Sequence, residues 1–256
     1  MLLKAKDYVT LGNVLGGFYC IVFVIEGNLT YASWAILAAY FCDVMDGVVA
    51  RLTHQFNKFG EELDNVADLV AYSIAPSFLI YGFYTQQSVF TPLPWYIASF
   101  FAAMPTVAGC IRFARFNVKR IHYDGAWMGF PRPAAALLFV GYFNTTMVHA
   151  FEPMYWFGLA VVTYSSIMHF VLIPFTNHHG SHTPTYLKWS YFFIASSTVF
   201  SIVGGLITGV FITWEIVTFW LLAYLFFHHR LTFSPKQRED IRKFVAEWKA
   251  DEATLL

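Results

Sequence analysis

The chain has 256 residues, of which 57% are hydrophobic, 20% are aromatic and only 12% are charged. A soluble domain carries about 25% charged residues, so an ordinary soluble enzyme and a disordered chain both fit this composition poorly. Sixteen Lys and Arg balance sixteen Asp and Glu, which excludes a net basic field that would attract nucleic acid. The composition predicts an all-α, polytopic integral membrane protein in contact with membrane lipid.

Eight apolar stretches are long enough, or nearly so, to cross a bilayer, for which a helix needs about 20 residues. In chain order they cover residues 9–25, 31–52, 62–84, 94–116, 133–151, 154–174, 189–208 and 211–228. We expect the first stretch to be retained in the folded protein, because no small-residue cleavage site follows it and a second span comes at once.

The positions of the basic residues predict how these spans are oriented. With eight spans, every Lys and Arg falls on the side of the membrane that carries both termini, and the loops on the other side have none. Cytoplasmic loops carry such an excess of positive charge. We therefore expect both termini to be cytoplasmic, with residues 1–230 forming a single transmembrane domain and residues 231–256 a cytoplasmic amphipathic tail.

The tail contains a predicted helix. Ser234, Pro235 and Gln237 are spaced as an N-cap, a first-turn proline and a capping-box partner. Four apolar residues then recur at helical spacing opposite charged ones: Ile241, Phe244, Val245 and Trp248. This pattern favours a helix that lies on the membrane surface, and the groove of a soluble partner is the alternative.

Four of the eight aspartates fall in one segment of 26 residues. Asp43 and Asp46 are three apart in the second span, so they share one face of a helix. Asp64 and Asp68 are four apart at the start of the third span and do the same. A short basic loop joins the two spans as an antiparallel pair, so all four carboxylates are expected to converge near the cytoplasmic ends.

Four carboxylates at one point need protons or cations to neutralise them, because an isolated charge in a membrane helix is costly. Hard oxygen ligands favour Mg²⁺, Mn²⁺ or Ca²⁺ over zinc. Four carboxylates match two divalent cations in charge, which is the arrangement of a two-metal phosphoryl-transfer site. The structural alternative is a set of helix-cap and ion-pair residues beside a loop.

Small residues continue the second span beyond the aspartates. Gly47 and Ala50 leave room for a bulky ligand to approach the backbone. Arg51 follows Gly47 by one helical turn and is placed at the cytoplasmic mouth, where an arginine can hold a phosphate. A simple positive-inside anchor is the alternative for this arginine.

These residues together carry a family resemblance. The pattern Asp43-x2-Asp46-Gly47-x2-Ala50-Arg51-x8-Gly60-x3-Asp64-x3-Asp68 matches the signature of the CDP-alcohol phosphotransferase family at all eight positions. The resemblance implies a membrane transferase that displaces CMP from a CDP-linked lipid or alcohol and uses a second alcohol as acceptor. It also implies a homodimer.

The resemblance further implies a role for each residue of the pattern. The four aspartates would hold two divalent cations, Mg²⁺ or Mn²⁺, in a site that Ca²⁺ can also occupy. Asp68 would act as the general base. The CDP group would lie against Gly47, Ala50 and Arg51, with Gly60 on the third helix beside it.

Three further segments resemble the phosphatidylserine synthases of bacteria and archaea within this family. They are Thr10-Leu11-Gly12-Asn13-x3-Gly17, Arg112-Phe113-Ala114-Arg115-Phe116-Asn117 and Gly129-Phe130-Pro131-Arg132-Pro133-Ala134-Ala135-Ala136. The first implies that Thr10 and Asn13 face the nucleotide. Together the segments imply CDP-diacylglycerol as donor, serine as acceptor and a site on the cytoplasmic side of a prokaryotic cell membrane.

Polar residues near the cytoplasmic ends are the candidates for holding the acceptor. Serine has a carboxylate, and arginine captures carboxylates through two parallel hydrogen bonds. The candidates are Arg112, Arg115, Asn117 and Arg132. The alternative for the arginines is that they extend to the lipid headgroups.

Other acceptors and another class of protein are alternatives. The same chemistry serves glycerol 3-phosphate, inositol phosphate or choline, or joins an archaeal CDP-ether lipid to serine. A divalent-cation transporter would also place acidic residues in membrane helices, but near mid-bilayer and in related halves, whereas these lie in one pair of spans.

Three histidines form a further cluster in the sequence, namely His178, His179 and His182. They have no Cys or acidic residue beside them, and they predict a solvated loop.

Overall fold

The computed structural model describes residues 3–53, 57–86, 90–118, 123, 125–176, 185–208, 212–231 and 233–253. The helices are α1 (Ala5–Ile25), α2 (Leu29–Thr53), α3 (Lys58–Leu69), α4 (Ala75–Gln86), α5 (Trp95–Val118), α6 (Arg132–Asn144), α7 (Thr146–Ala150), α8 (Glu152–Phe170), α9 (Thr185–Thr208), α10 (Thr213–Leu231) and α11 (Pro235–Ala253). A π-helical segment, Val70–Ile74, joins α3 to α4. Two short strands, β1 (Ala126–Met128) and β2 (Pro174–Thr176), pair with each other.

Each of the eight stretches predicted to span the membrane is helical over most of its length. Among the described residues, three helices are long and apolar enough to cross a membrane, namely α1, the continuous helix Lys58–Gln86, and α5. Shorter apolar helical stretches lie at Ser196–Thr208 and Thr213–Phe227. The predicted class, an α-helical membrane protein, is confirmed.

The fifth predicted stretch is broken in the structure. Extended backbone at Thr145 separates α6 from α7. Glu215 on α10 stabilises the break, because its Oε1 accepts hydrogen bonds from the backbone nitrogen and Oγ1 of Thr146 at 2.9 and 3.0 Å. Hydrophobicity alone does not reveal such a break, since the polar groups it frees are satisfied by a distant helix.

Two glycines let α1 approach two other helices closely. A Cβ atom at Gly16 would lie 2.7 Å from the Cβ of Ala39 on α2, and one at Gly17 would lie 2.9 Å from the Cα of Ala71 in the π-helical segment. Only a hydrogen fits at either position, as in other tightly packed membrane helices. The close approach brings the polar residues of α1 alongside the aspartates of the neighbouring helices.

An aromatic core fixes α6 against α4 and α8. Phe83, Tyr84, Phe143 and Tyr155 are almost completely buried there, and the ring centroids of Phe83 and Phe143 lie 4.3 Å apart. At its other end α6 begins with Arg132. Pro131 occupies the N-cap position there and supplies no side-chain hydrogen bond to the first turn.

The two short strands form a sheet that the sequence did not predict. β1 precedes α6, β2 follows α8, and Met128 pairs with Pro174 at one end of the antiparallel ladder. Arg112 on α5 fastens this end, since its Nη1 donates to the carbonyl oxygens of Met128 and His169 at 2.8 and 2.9 Å. Gly129 follows with a φ of +82°, and a Cβ there would lie 2.5 Å from the oxygen of His169.

The predicted helix of the tail is present as α11, and its capping box is confirmed. The backbone nitrogen of Gln237 donates to Ser234 Oγ at 3.3 Å, and the backbone nitrogen of Ser234 donates to Gln237 Oε1 at 3.0 Å. The apolar face of α11 is covered by protein, because Ile241 packs with Met128 of β1 and is only 3% exposed. The membrane-surface placement predicted for this face is therefore wrong, since the unpredicted sheet buries it.

The histidine loop lies outside the described residues. His178, His179 and His182 all fall in the stretch between β2 and α9 that the structure does not describe, so their predicted solvated setting stays a prediction.

Candidate active site

Three of the four aspartates meet between α2 and α3. One carboxylate oxygen from each of Asp43, Asp64 and Asp68 lies within 4.8 Å of the other two, and all three side chains are partly buried. Helical spacing within each span and the antiparallel pairing of the spans produce this convergence, as the sequence predicts.

Asp46 lies beside this group and faces a cavity. It is 9% exposed, and its Oδ2 accepts a hydrogen bond of 2.6 Å from Thr10 Oγ1 on α1. Asp46 and Asp64 both line the cavity, which has a volume of about 520 Å³. Asp46 thus connects the cluster of three carboxylates to a cavity that is large enough for part of a ligand.

The residues of α1 reach the site through hydrogen bonds to the aspartates. Thr10 and Asn13 are both fully buried and lie three residues apart on one face of α1. Asn13 Nδ2 donates to Asp68 Oδ1 at 3.5 Å, just as Thr10 bonds to Asp46. The described partners of both residues are carboxylates of the site, and their predicted contact with the nucleotide stays a prediction.

Arg132 also reaches the carboxylates. Its Nη2 lies 3.2 Å from Asp68 Oδ2, and the two side chains are only 11% and 18% exposed. The other terminal nitrogen, Nη1, is buried and has no hydrogen-bond partner among the described residues. The cation beside Asp68 therefore keeps the two N–H groups of Nη1 available for another hydrogen-bond acceptor.

Tyr72 is a site residue that the sequence analysis missed. Its hydroxyl donates to Asp43 Oδ2 at 3.0 Å, and the side chain is fully buried in the π-helical segment. Asp64, Asp68 and Tyr72 continue one spacing of four residues. Extending that spacing by one helical turn beyond Asp68 would have identified it.

The small residues predicted to lie against CDP line the cavity. Gly47 and Ala50 both contribute to its wall. A Cβ at Gly47 would meet only the guanidinium of Arg51, 3.5 Å away, and Arg51 is exposed. A ligand therefore has room to approach the backbone of α2 here.

Three more cavity residues, Lys6, Asn57 and Glu61, were not predicted. Gly60 lies behind Lys6: a Cβ at this glycine would be 2.5 Å from Lys6 Nζ and 2.6 Å from Asp7 Oδ1. In this structure Gly60 makes room for α1. Its predicted contact with CDP stays a prediction.

The remaining acceptor candidates make other contacts. Arg112 donates to backbone carbonyls of β1 and α8, and Arg115 Nη1 donates to the oxygen of Phe170 at 2.9 Å. The carbonyls at the end of α8 lack helical donors, which explains why both arginines are drawn there. Arg115 also lies over the ring of Trp248, 5.9 Å from its centroid, and Asn117 is exposed.

The donor set fits a divalent cation. Three carboxylates this close repel one another unless a cation neutralises them, and the described contacts supply one arginine. Asp64 Oδ1 is buried and has no hydrogen-bond partner in the described part of the chain. Clustered, hard oxygen donors of this kind are the ligands that Mg²⁺ and Mn²⁺ prefer.

Comparison with known proteins places the chain in a family. Residues 5–171 match the family described as CDP-alcohol phosphatidyltransferase. The chain is 36% identical over 132 residues to the CDP-diacylglycerol–serine O-phosphatidyltransferase of Helicobacter pylori strain J99, a match that covers 51% of this chain and 53% of the relative. The protein of the same name from Methanocaldococcus jannaschii is 32% identical over 141 residues, or 55% of this chain and 61% of the relative.

A third relative, the archaetidylserine synthase of Methanothermobacter thermautotrophicus, is 29% identical over 141 residues, which cover 54% of this chain and 57% of the relative. The matches thus cover between 53% and 61% of the length of these three relatives. The family match itself covers most of the chain and includes every residue of the carboxylate site. The chain belongs to the CDP-alcohol phosphatidyltransferase family.

Proposed function

We propose that the protein is a phosphatidylserine synthase. It transfers the phosphatidyl group of CDP-diacylglycerol to the hydroxyl of L-serine, which gives phosphatidylserine and CMP. The names of the relatives support the reaction. The observation that carries the acceptor is the contact between Arg132 and Asp68, because it places a carboxylate-binding group beside the proposed base.

The donor site combines the carboxylates with the adjoining cavity. Asp43, Asp46, Asp64 and Asp68 would hold two divalent cations, Mg²⁺ or Mn²⁺. When bound, the cations neutralise charge on the diphosphate and on the departing CMP. The cytidine part of the donor would occupy the cavity, which Gly47 and Ala50 line. Arg51, at the exposed edge, is available to a phosphate oxygen.

The residues of this chain then carry the proton and orient the acceptor. The serine Oγ attacks the β-phosphorus of the donor as Asp68 accepts its proton, and the bond from that phosphorus to the CMP oxygen breaks. Asn13 and Arg132 fix the Asp68 carboxylate from two sides. Thr10 does the same for Asp46.

Arg132 is the proposed anchor for serine. With Nη2 on Asp68, the unpartnered Nη1 is placed to take the serine carboxylate. The same guanidinium would then hold both the base and the acceptor, which brings the serine hydroxyl towards Asp68. Arg112 and Arg115 would support this arrangement through the backbone of β1 and α8.

The proposed membrane arrangement follows the distribution of charge. Eight spans place both termini and all basic residues in the cytoplasm, in the cell membrane of a prokaryote. The proposed site carries Lys6, Arg51 and Arg132, so it faces the cytoplasm, where serine enters and CMP leaves. We also propose that the protein is a homodimer, as the resemblance implies.

The reaction is tested by CMP release from CDP-diacylglycerol by the purified protein with Mg²⁺ or Mn²⁺. Serine, glycerol 3-phosphate, inositol phosphate and choline are compared as acceptors, and we expect release with serine alone. Release with another acceptor would retain the carboxylate chemistry and overturn the substrate. Release only from a CDP-ether lipid with serine would match the archaetidylserine synthase relative.

The same assay tests Arg132. We expect Arg132→Gln to raise the KM for serine on the order of 10-fold or more, because a hydrogen bond to a charged group contributes about 1.5–3 kcal/mol, and to leave the KM for the donor nearly unchanged. Arg242→Gln, which removes an exposed charge from α11, is the matched control. An unchanged serine KM would remove Arg132 from the acceptor site.

A further inference from the structure

The side chain of Tyr72 reaches the carboxylate site from the π-helical segment that continues α3. Its hydroxyl donates to Asp43 Oδ2 at 3.0 Å. The side chain is 0% exposed, so water does not compete for this hydrogen bond. A carboxylate oxygen of the partly buried Asp43 thus has a fixed donor, and that donor comes from a different helix.

The backbone around Tyr72 is specialised. The tyrosine lies in the π-helical segment Val70–Ile74, where the nitrogen of Ala75 donates to the oxygen of Val70, five residues back. Such single π-turns are rare and occur frequently at functional sites. The same segment is held from two sides, by Gly17 of α1 and by Thr106 of α5, whose Oγ1 donates to the oxygen of Ser73 at 3.2 Å. These contacts fix the backbone that carries Tyr72, and so they fix the position of its ring.

We propose that Tyr72 is a positioning residue for the metal site. Its hydroxyl holds the Asp43 carboxylate in the orientation that binds a divalent cation. Carboxylate ligands are commonly held by hydrogen bonds from residues that do not touch the metal, and loss of such a partner typically weakens metal binding about 10- to 100-fold. The proposal rests on the metal-dependent reaction proposed above. It concerns affinity for the cation and not the chemical step.

The matched control lies in the same continuous helix. Tyr84 is also fully buried, and its hydroxyl donates to the oxygen of Tyr155 at the same distance of 3.0 Å. Tyr72→Phe and Tyr84→Phe therefore remove the same atom from equally buried settings. They differ in whether the lost hydrogen bond ends on a carboxylate of the site or on a carbonyl of the core.

The experiment is titration of the purified protein with Mn²⁺ alone, followed by electron paramagnetic resonance of the free ion. We expect Tyr72→Phe to bind Mn²⁺ about 10- to 100-fold more weakly than the wild type, and Tyr84→Phe to bind as the wild type does. The shift in thermal unfolding temperature on adding Mn²⁺ gives a second readout, which should shrink in Tyr72→Phe only. CMP release by Tyr72→Phe should recover at high Mn²⁺ concentration.

The outcomes separate this proposal from the proposed function. Equal Mn²⁺ affinity in Tyr72→Phe and the wild type would overturn the positioning role and leave the reaction intact. Equal weakening in both variants would overturn it as well, because a general loss of packing would then be the cause. If the wild type bound no Mn²⁺, the metal site itself would be overturned, and this proposal with it.

Discussion

Asp68 accepts hydrogen bonds from residues that are far away in the sequence on both sides. Asn13 precedes it by 55 residues and Arg132 follows it by 64. These partners occupy one oxygen each, so the carboxylate is oriented before any substrate binds. Pre-organised groups lose little freedom during reaction, which is the usual advantage of a fixed general base.

Asp68→Asn tests the proposed base. The amide keeps the size of the side chain and can still accept a hydrogen bond from Arg132, but it cannot take up the serine proton. We expect CMP release at saturating Mn²⁺ to fall at least about 10²- to 10⁴-fold, the contribution typical of a general base, while CDP-diacylglycerol binding, measured by calorimetry, persists. An Asn variant with wild-type turnover would rule out the role.

The sequence predicts the carboxylates well because their spacing is local. Helical periodicity alone brings each pair of aspartates to one face. The short loop between the two spans then places the two pairs side by side. Tyr72 was missed because an aromatic residue in an apolar helix is ordinarily core. Lys6 was missed because its place beside Asp46 depends on the glycine-mediated packing of α1, which is set by residues distant in the chain.

At the scale of elements, the two-stranded sheet explains how Arg132 is held. β1 leads through Gly129 into the first turn of α6, and β2 follows α8. Arg112 fastens β1 to the end of α8 through its hydrogen bonds to the carbonyl oxygens of Met128 and His169. Three-residue strands separated by three helices leave almost no periodic signal in the sequence, so neither the strands nor this role of Arg112 was predictable.

Arg112→Met should therefore act on the acceptor through the backbone. The change leaves two carbonyls without their donor, at a cost of about 1–3 kcal/mol each, and loosens the start of α6. We expect a lower thermal unfolding temperature and a serine KM that rises more than the KM for CDP-diacylglycerol. Arg112→Lys should give a partial effect and Arg242→Met none. Equal changes in both KM values would contradict this role.

At the scale of the whole molecule, the apolar stretches were sufficient to predict the helical class. The exact number of spans and their orientation rest on the segregation of Lys and Arg. The tail shows the limit of such patterns. Its amphipathic helix was predicted from spacing, but the surface that covers its apolar face was not, because that surface is formed by β1.

Cysteine labelling tests the proposed orientation. The native cysteines Cys20, Cys42 and Cys110 are replaced by alanine, and Glu26→Cys or Glu239→Cys is then introduced at an exposed position. On intact cells, a membrane-impermeant maleimide should label Glu26→Cys, because the proposed orientation places the loop after the first span on the outer side. Glu239→Cys should react only after permeabilisation, and the reverse pattern would contradict a cytoplasmic tail.

The uncapped start of α6 has an electrostatic consequence. Pro131 at the N-cap supplies no side-chain hydrogen bond to the first turn of α6, and that turn contains no acidic residue, so the helix dipole leaves a partial positive charge there. Arg132 adds a full positive charge at the same point. In the proposed reaction, an acceptor that brings a carboxylate or a phosphate would complete the helix as a cap, whereas the quaternary ammonium of choline would meet repulsion. Part of the proposed preference for an anionic acceptor would thus come from the direction of the backbone in α6, in addition to the charge of Arg132.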